Sequence, residues 1–261
     1  MQISEQDFRD AIVGTKKDAK LVASAKNDRY STESMYAEFA KLPVERQRDI
    51  IIGIANDWFV AANWKIAFPL NNAPAAVLPD FVKAAGKALF YTRDEDSVRE
   101  TIRTLRLYLE SPFAKAIANA LAEGAEMTGV GLASVAQILS EPEIYGRVKT
   151  LQTGNPMSEK IVSTIGRIAT YTKDLSATSD CAEFLVARRF SPVIEQICSL
   201  LESSIYLARD RKSVRQILIG FSAGALDIVL QKGNGNVSAI RDMAWKSRDW
   251  KAIRDLLQTA L

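Results

Sequence analysis

Apolar residues recur at helical spacing along most of this chain, and alternating strand-like runs are hard to find. The most apolar stretch, 50–70, is interrupted by polar residues such as Asn56, Asp57 and Lys65. Charged residues at the centre of a bilayer are costly, so this stretch is read as a buried core helix and no membrane span is predicted. We therefore predict an all-α fold, a globular bundle of roughly ten or more helices.

Helix starts are predicted from capping residues. A side-chain acceptor followed three residues later by Glu, the capping-box pattern, occurs at Ser97, Ser140 and Asp180. The pairs Ser111-Pro112 and Ser191-Pro192 fit a capping serine followed by proline at the first helical position. The sequence therefore predicts that a helix begins at each of these five places.

The 261 residues are read as a single all-α domain. The longest candidate linker is 69–79, which contains Asn71, Asn72 and Pro74. If the chain has a domain boundary, it lies in this linker and divides an N-terminal helical lobe, 1–68, from a C-terminal helical lobe, 80–261.

A weak internal repeat links two parts of the chain. The helix-like runs that follow Ser111-Pro112 and Ser191-Pro192 are offset by 80 residues. The segment SVAQIL, 134–139, matches SVRQIL, 213–218, at five of six positions with an offset of 79. Either two repeated helical units are present or capped amphipathic helices resemble one another by chance, and chance is the favoured explanation because solenoids need about three or more copies.

The sharpest local pattern is 121–140. A small residue, Ala125, would let two helices approach, and Gly129 would reverse the chain between them. Three apolar residues would hold the second helix in place, namely Val130, Val135 and Ile138.

This spacing resembles the helix-turn-helix segment of DNA-binding repressors of the lactose-repressor type, over 20 of the 261 residues. The resemblance implies that residues 132–139 read the major groove, with Ser134 and Gln137 facing base edges. A tight pair of core helices with no ligand is the alternative.

Net charge alone does not indicate a polyanion partner, since 34 Lys and Arg stand against 31 Asp and Glu. A nucleic-acid partner is indicated instead by local clusters of cations. On one predicted helix, Trp245 lies between two arginines, where its ring would stack on an unpaired base. The candidate nucleic-acid contacts in these clusters are Lys16, Lys17, Lys20, Arg211, Lys212, Arg215, Arg241, Trp245 and Arg248. Solvated helix faces balanced by nearby acids are the alternative.

Histidine is absent, which excludes imidazole-dependent catalysis and the commonest metal ligand. The two cysteines, Cys181 and Cys198, are too few for a disulfide framework and are predicted to be free, buried thiols. No cofactor or metal site is predicted. If the chain were an enzyme, the candidates would be Lys65 and the acidic cluster 94–100.

These observations favour a cytoplasmic, non-enzymatic protein that binds nucleic acid, DNA ahead of RNA, through basic helix surfaces. A helical scaffold that binds protein partners or a second copy of itself is the alternative.

Overall fold

The structure, a computed structural model, describes residues 77–92, 94–151 and 155–222, together with the isolated positions 41, 43 and 249. Across these residues the fold is all-helical and contains no strand, which confirms the predicted fold class. The predicted count of roughly ten or more helices is not confirmed within them. None of the described helices combines the length and apolar character that a membrane crossing requires. The chain divides into a first compact unit, 1–137, and a second, 138–261.

In the first unit, α1 (Leu78–Thr92) packs along α3 (Ala114–Thr128), and α2 (Glu95–Leu107) contacts both. Phe81, Ala84 and Ala88 are buried at helical spacing on α1. The small alanines allow the helix axes to come close, as ridge-into-groove packing requires. A 3₁₀ turn, Gly129–Gly131, joins α3 to α4 (Leu132–Ser140), a helix that crosses the boundary between the units.

In the second unit, α6 (Pro156–Thr172) packs against α7 (Leu175–Ala187) and α8 (Ile194–Ala208). The short helix α5 (Pro142–Lys149) contacts α7, and α9 (Arg211–Ser222) contacts both α7 and α8. Large aliphatic side chains fill this core at helical spacing, including Ile161, Ile165, Ile168, Ile197, Leu201 and Ile205. Cys181 and Cys198 are free and buried, as predicted.

The same hydrogen-bonded junction connects the first two long helices of each unit. The Thr92 hydroxyl donates to the Ala88 carbonyl at 2.7 Å, and the Asp94 amide donates to the Thr92 hydroxyl at 3.2 Å. The Asp94 carboxylate then accepts from the Ser97 amide at 2.8 Å and caps α2.

Eighty residues later, the bonds from the Thr172 hydroxyl to Ile168 and from the Asp174 amide to Thr172 measure 2.9 and 3.3 Å. The Asp174 carboxylate accepts from the Ala177 amide at 2.7 Å and caps α7. The two junctions therefore satisfy the same backbone groups with the same residue types.

The Ser-Pro pairs do not cap helices directly. The Ser111 hydroxyl accepts from the Phe113 amide at 3.2 Å, and α3 begins one residue further on. The Ser191 hydroxyl accepts from the Val193 amide at 3.4 Å, and α8 likewise begins one residue further on. Each pair closes a turn that leads into its helix.

The three predicted capping boxes are wrong. Ser97 lies inside α2, because Asp94 caps that helix from three residues earlier. Ser140 is the last residue of α4, and α5 begins at Pro142 without a side-chain cap. Asp180 lies in the middle of α7, far from its start.

Candidate interaction surface

The predicted helix-turn-helix segment forms two helices, α3 and α4, joined by the three-residue turn at Gly129. Ala125 and Val135 are fully buried and Ile138 is nearly so, as the pattern predicts. Gly129 ends α3 with φ 54° and ψ −127°, a conformation that favours glycine. Val130, by contrast, is 68% exposed and does not hold the second helix, so that part of the prediction is wrong.

Ser134 and Gln137 are exposed together on α4. The segment itself is acidic, since the sequence from Ala116 to Gly146 contains four Glu residues and no Lys or Arg. The acids nearest the turn include Glu126, whose carboxylate binds the buried Lys87 ammonium at 2.5 Å. This segment therefore exposes hydrogen-bonding groups without a cation of its own to anchor a phosphate.

The predicted contacts Arg211, Lys212 and Arg215 are exposed on α9. Arg215 is bound to Asp180, its Nε lying 3.2 Å from the carboxylate. The remaining predicted contacts, Lys16, Lys17, Lys20, Arg241, Trp245 and Arg248, lie outside the described residues.

Acids also neutralise cations elsewhere in the second unit. Arg147 bridges Glu143 and Glu183 at 3.0 and 3.1 Å. Glu202 binds Arg167 at 2.9 Å and Lys160 at 3.5 Å. The pair of Arg147 with Glu143 lies within α5, and the other pairs join neighbouring helices. Each of these cations is therefore engaged within the protein.

The cations at the connection between α8 and α9 are arranged differently. We call this cluster the cationic turn and define it as Tyr206, Arg209, Arg211 and Lys212. The Arg209 guanidinium lies 4.9 Å from the centroid of the Tyr206 ring, and its Nε donates to the Tyr206 carbonyl at 3.0 Å. The Tyr206 ring is 40% exposed and packs edge-on against Tyr171 at a centroid distance of 5.2 Å. The aromatic ring and the first cation are therefore held in place before any ligand arrives.

Asp210 is the acid within this turn, and its carboxylate already accepts a hydrogen bond from the protein. Its carboxylate accepts from the Ser213 amide at 3.0 Å at the start of α9. Hydrogen bonds from the Ser213 hydroxyl and amide hold the pKa of Asp210 below its usual value. Arg211 and Lys212 have no bonded acid among the described residues, so the turn presents net positive charge to solvent.

Tyr206 was not predicted as a site residue, whereas Arg209 was noted only as a neighbour of Arg211, Lys212 and Arg215 in a basic patch. The available signal was the 80-residue offset, which places Arg209 opposite Gly129 and Tyr206 opposite Glu126. Both Gly129 and Arg209 end a helix with positive φ, 54° and 53°, although ψ differs, −127° against −26°. The backbone equivalence of Gly129 and Arg209 becomes visible only in the folded chain.

The acidic cluster 94–100 has structural roles in its described part. Asp94 caps α2, while Asp96 and Glu100 approach Arg99 and Arg103 at 3.5 and 3.4 Å. Within the described residues, no group of three or more Cys, Asp or Glu could hold a metal ion. Comparison with protein-family models, with curated proteins and with solved structures found no match to this chain.

Proposed function

We propose that this chain is a non-enzymatic helical scaffold, built from two copies of one helical unit, that binds a protein partner. One observation carries the proposal: the helices of the second unit repeat those of the first with an offset of 80 residues. The ranges Glu95–Leu107 and Ala114–Thr128 recur as Leu175–Ala187 and Ile194–Ala208. α1 and α6 end at equivalent threonines, Thr92 and Thr172.

Chance similarity between amphipathic helices accounts poorly for this agreement. Such helices share a periodicity, but nothing in periodicity reproduces the same Thr-Asp junction with the same three hydrogen bonds. The Ser-Pro turns and the buried pair Leu121 and Leu201 also recur at the same offset. Duplication of one ancestral unit supplies a single cause for all of these matches.

Repeated helical units bury their apolar faces within and between copies and use their outer helices and turns for binding. The chemistry at those turns then sets the partner. Here the turn after α3 exposes Met127 and Val130, by 53% and 68%, while the turn after α8 exposes cations and an aromatic ring. Mixed apolar, aromatic and arginine groups are typical of protein interfaces.

The test uses the full-length chain and fluorescence anisotropy. Labelled peptides of acidic, neutral and basic composition are titrated beside mixed-sequence DNA and RNA at low and high salt. Saturable binding to one class of peptide is expected. Binding to nucleic acid alone, with affinity falling steeply as salt rises, would overturn the scaffold proposal.

Nucleic-acid binding is a second candidate, because Ser134 and Gln137 are exposed on α4 as base reading would require. A base-reading glutamine discriminates between sequences, so Gln137→Ala should flatten the preference among duplexes. Ser203→Ala, at a half-buried helix position in the other unit, is the control and should leave that preference unchanged. Identical affinities of the Gln137→Ala protein and the unmodified protein for every duplex would eliminate groove reading by α4.

A further inference from the structure

We infer that the cationic turn of the second unit is a docking site for an acidic peptide segment of a protein partner. The inference rests on the proposed scaffold function and names the site and the chemistry of the partner. It starts from the contrast between two equivalent turns in the two copies.

The backbone gives no reason for an arginine at position 209. Gly129, in the equivalent place, ends its helix with a similar φ, and glycine adopts positive φ without the steric cost that a β-carbon brings. A glycine at position 209 would therefore strain the backbone less than the arginine does. The contribution of the arginine has to lie in the side chain, which carries charge and covers Tyr206.

The side chains of the turn complement carboxylates. Three cations fall within four consecutive residues, 209–212, and all three are exposed. Arg209 uses only Nε within the described residues, so its two terminal NH₂ groups keep their donors for a ligand. A guanidinium presents parallel donors that match the two oxygens of a carboxylate.

The exposed Tyr206 ring adds an apolar contact beside the charges. A segment with two or three Asp or Glu residues next to one apolar side chain would use the ring and the cations together. Tyr206 and Arg209 are already held against each other, so they lose little conformational freedom on binding. Tyrosine and arginine are among the residues that dominate the energetics of many protein interfaces.

A nucleic-acid strand fits this turn less well. Affinity for a nucleic acid rises with the number of phosphates that cations neutralise, and the turn offers only three cations. The track does not continue along α9, because Arg215 is bound to Asp180. The small number of charges suits a short acidic segment with a few carboxylates.

The experiment measures binding of a labelled twelve-residue peptide rich in Asp and Glu with one central Leu, by anisotropy, to the full-length chain. A peptide with Asn and Gln in place of every acid serves as the uncharged control. The test variants are Arg209→Gly and the double variant Arg211→Ala/Lys212→Ala. Each should weaken binding of the acidic peptide about fivefold or more.

Lys173→Gly is the matched control. Lys173 is also exposed, also ends a helix of the second unit with positive φ, 51°, and loses the same charge on substitution. Its variant should bind the acidic peptide as the unmodified protein does. Circular dichroism and thermal unfolding should show that both glycine variants are at least as stable as the unmodified chain.

The outcomes separate the two proposals. Binding of the acidic peptide that is unchanged in both test variants, or weakened equally by Lys173→Gly, overturns the docking site and leaves the scaffold standing. Binding of only neutral or basic peptides likewise overturns the docking site and leaves the scaffold proposal standing. Binding of an oligonucleotide and of no peptide overturns both.

Discussion

The two aspartate caps give the most direct test that the units are copies of one another. Asp94 accepts from the Ser97 amide at 2.8 Å, and Asp174 accepts from the Ala177 amide at 2.7 Å. Replacing either aspartate with alanine leaves an amide in the first turn of the helix without its partner. A lost cap costs about 1 kcal/mol, within a range of about 0.5–2 kcal/mol.

The geometry of the two caps is nearly the same, so the two losses should be similar. We expect Asp94→Ala and Asp174→Ala to lower the free energy of unfolding by amounts within about 0.5 kcal/mol of each other. The double variant should lose the sum, because each carboxylate bonds within its own helix. Asp→Asn at either position keeps an acceptor oxygen and should lose about half as much or less.

Urea unfolding followed by circular dichroism at 222 nm measures these differences. If the units unfold in separate transitions, each substitution should move the midpoint of its own unit and leave the other in place. A loss above about 1 kcal/mol at one cap with no measurable loss at the other would refute the equivalence of the two junctions.

Three further predictions concern single sites. Gly146 lies inside α5 with open space where a β-carbon would sit, so Gly146→Ala should raise the free energy of unfolding by about 0.5–1 kcal/mol. Gly129→Ala should lower it by about 2 kcal/mol, because Gly129 has a φ of 54° and a ψ of −127°. Melting temperatures of the two variants that move in the same direction would contradict this. Burial raises the pKa of the Cys198 thiol to about 11 and raises the pKa of the Cys181 thiol as well. A thiol reagent at neutral pH should therefore label neither cysteine until the chain is unfolded. Rapid labelling of the native protein would be inconsistent with the buried positions of these thiols. Hydrogen bonds from Ser213 lower the pKa of Asp210. This cap therefore stabilises the fold fully above the usual aspartate pKa of 3.8, and its contribution is lost as the pH falls through the lowered pKa. A titration midpoint of the Asp210 carboxyl at or above 3.8, measured by NMR, would argue against the cap.

The all-α fold was predictable because helical periodicity is a local property. Stripes such as Ile194, Ile197 and Leu201 appear in the sequence at the spacing that the folded helix buries. Helix starts were harder to predict. A Ser-x-x-Glu pattern marks Ser97, but the carboxylate of Asp94 reaches the Ser97 amide first, and the Ser97 hydroxyl donates instead to the Val130 carbonyl at 3.1 Å.

The charge of the surface could not be read from the linear order. Arg215 and Asp180 are 35 residues apart, and packing of α9 on α7 brings them to 3.2 Å. The cations predicted as nucleic-acid contacts thus include one that is already engaged. Arg211 and Lys212, four and three residues before it, remain exposed without a bonded acid among the described residues. Ion pairing between helices depends on their packing, which a charge count does not contain.

The repeat was visible in the sequence only as scattered matches, because the copies share the groups that build the fold more than the groups on its surface. In the first unit, α1 and α3 are linked by the ion pair of Lys87 with Glu126. In the second, the equivalent of Glu126 is Tyr206, and its ring packs on Tyr171 between α6 and α8. An ion pair therefore joins these helices in both units, Lys87 with Glu126 in the first and Arg167 with Glu202 in the second, and the second unit adds the aromatic contact. The acid of the second pair is Glu202, one helical turn before Tyr206, so position 206 does not have to carry the carboxylate that Glu126 supplies in the first unit. The helix pair is thus joined in both units while the residues after it change from Gly129 and Val130 to Arg209 and Asp210, a change on which the proposed docking site depends.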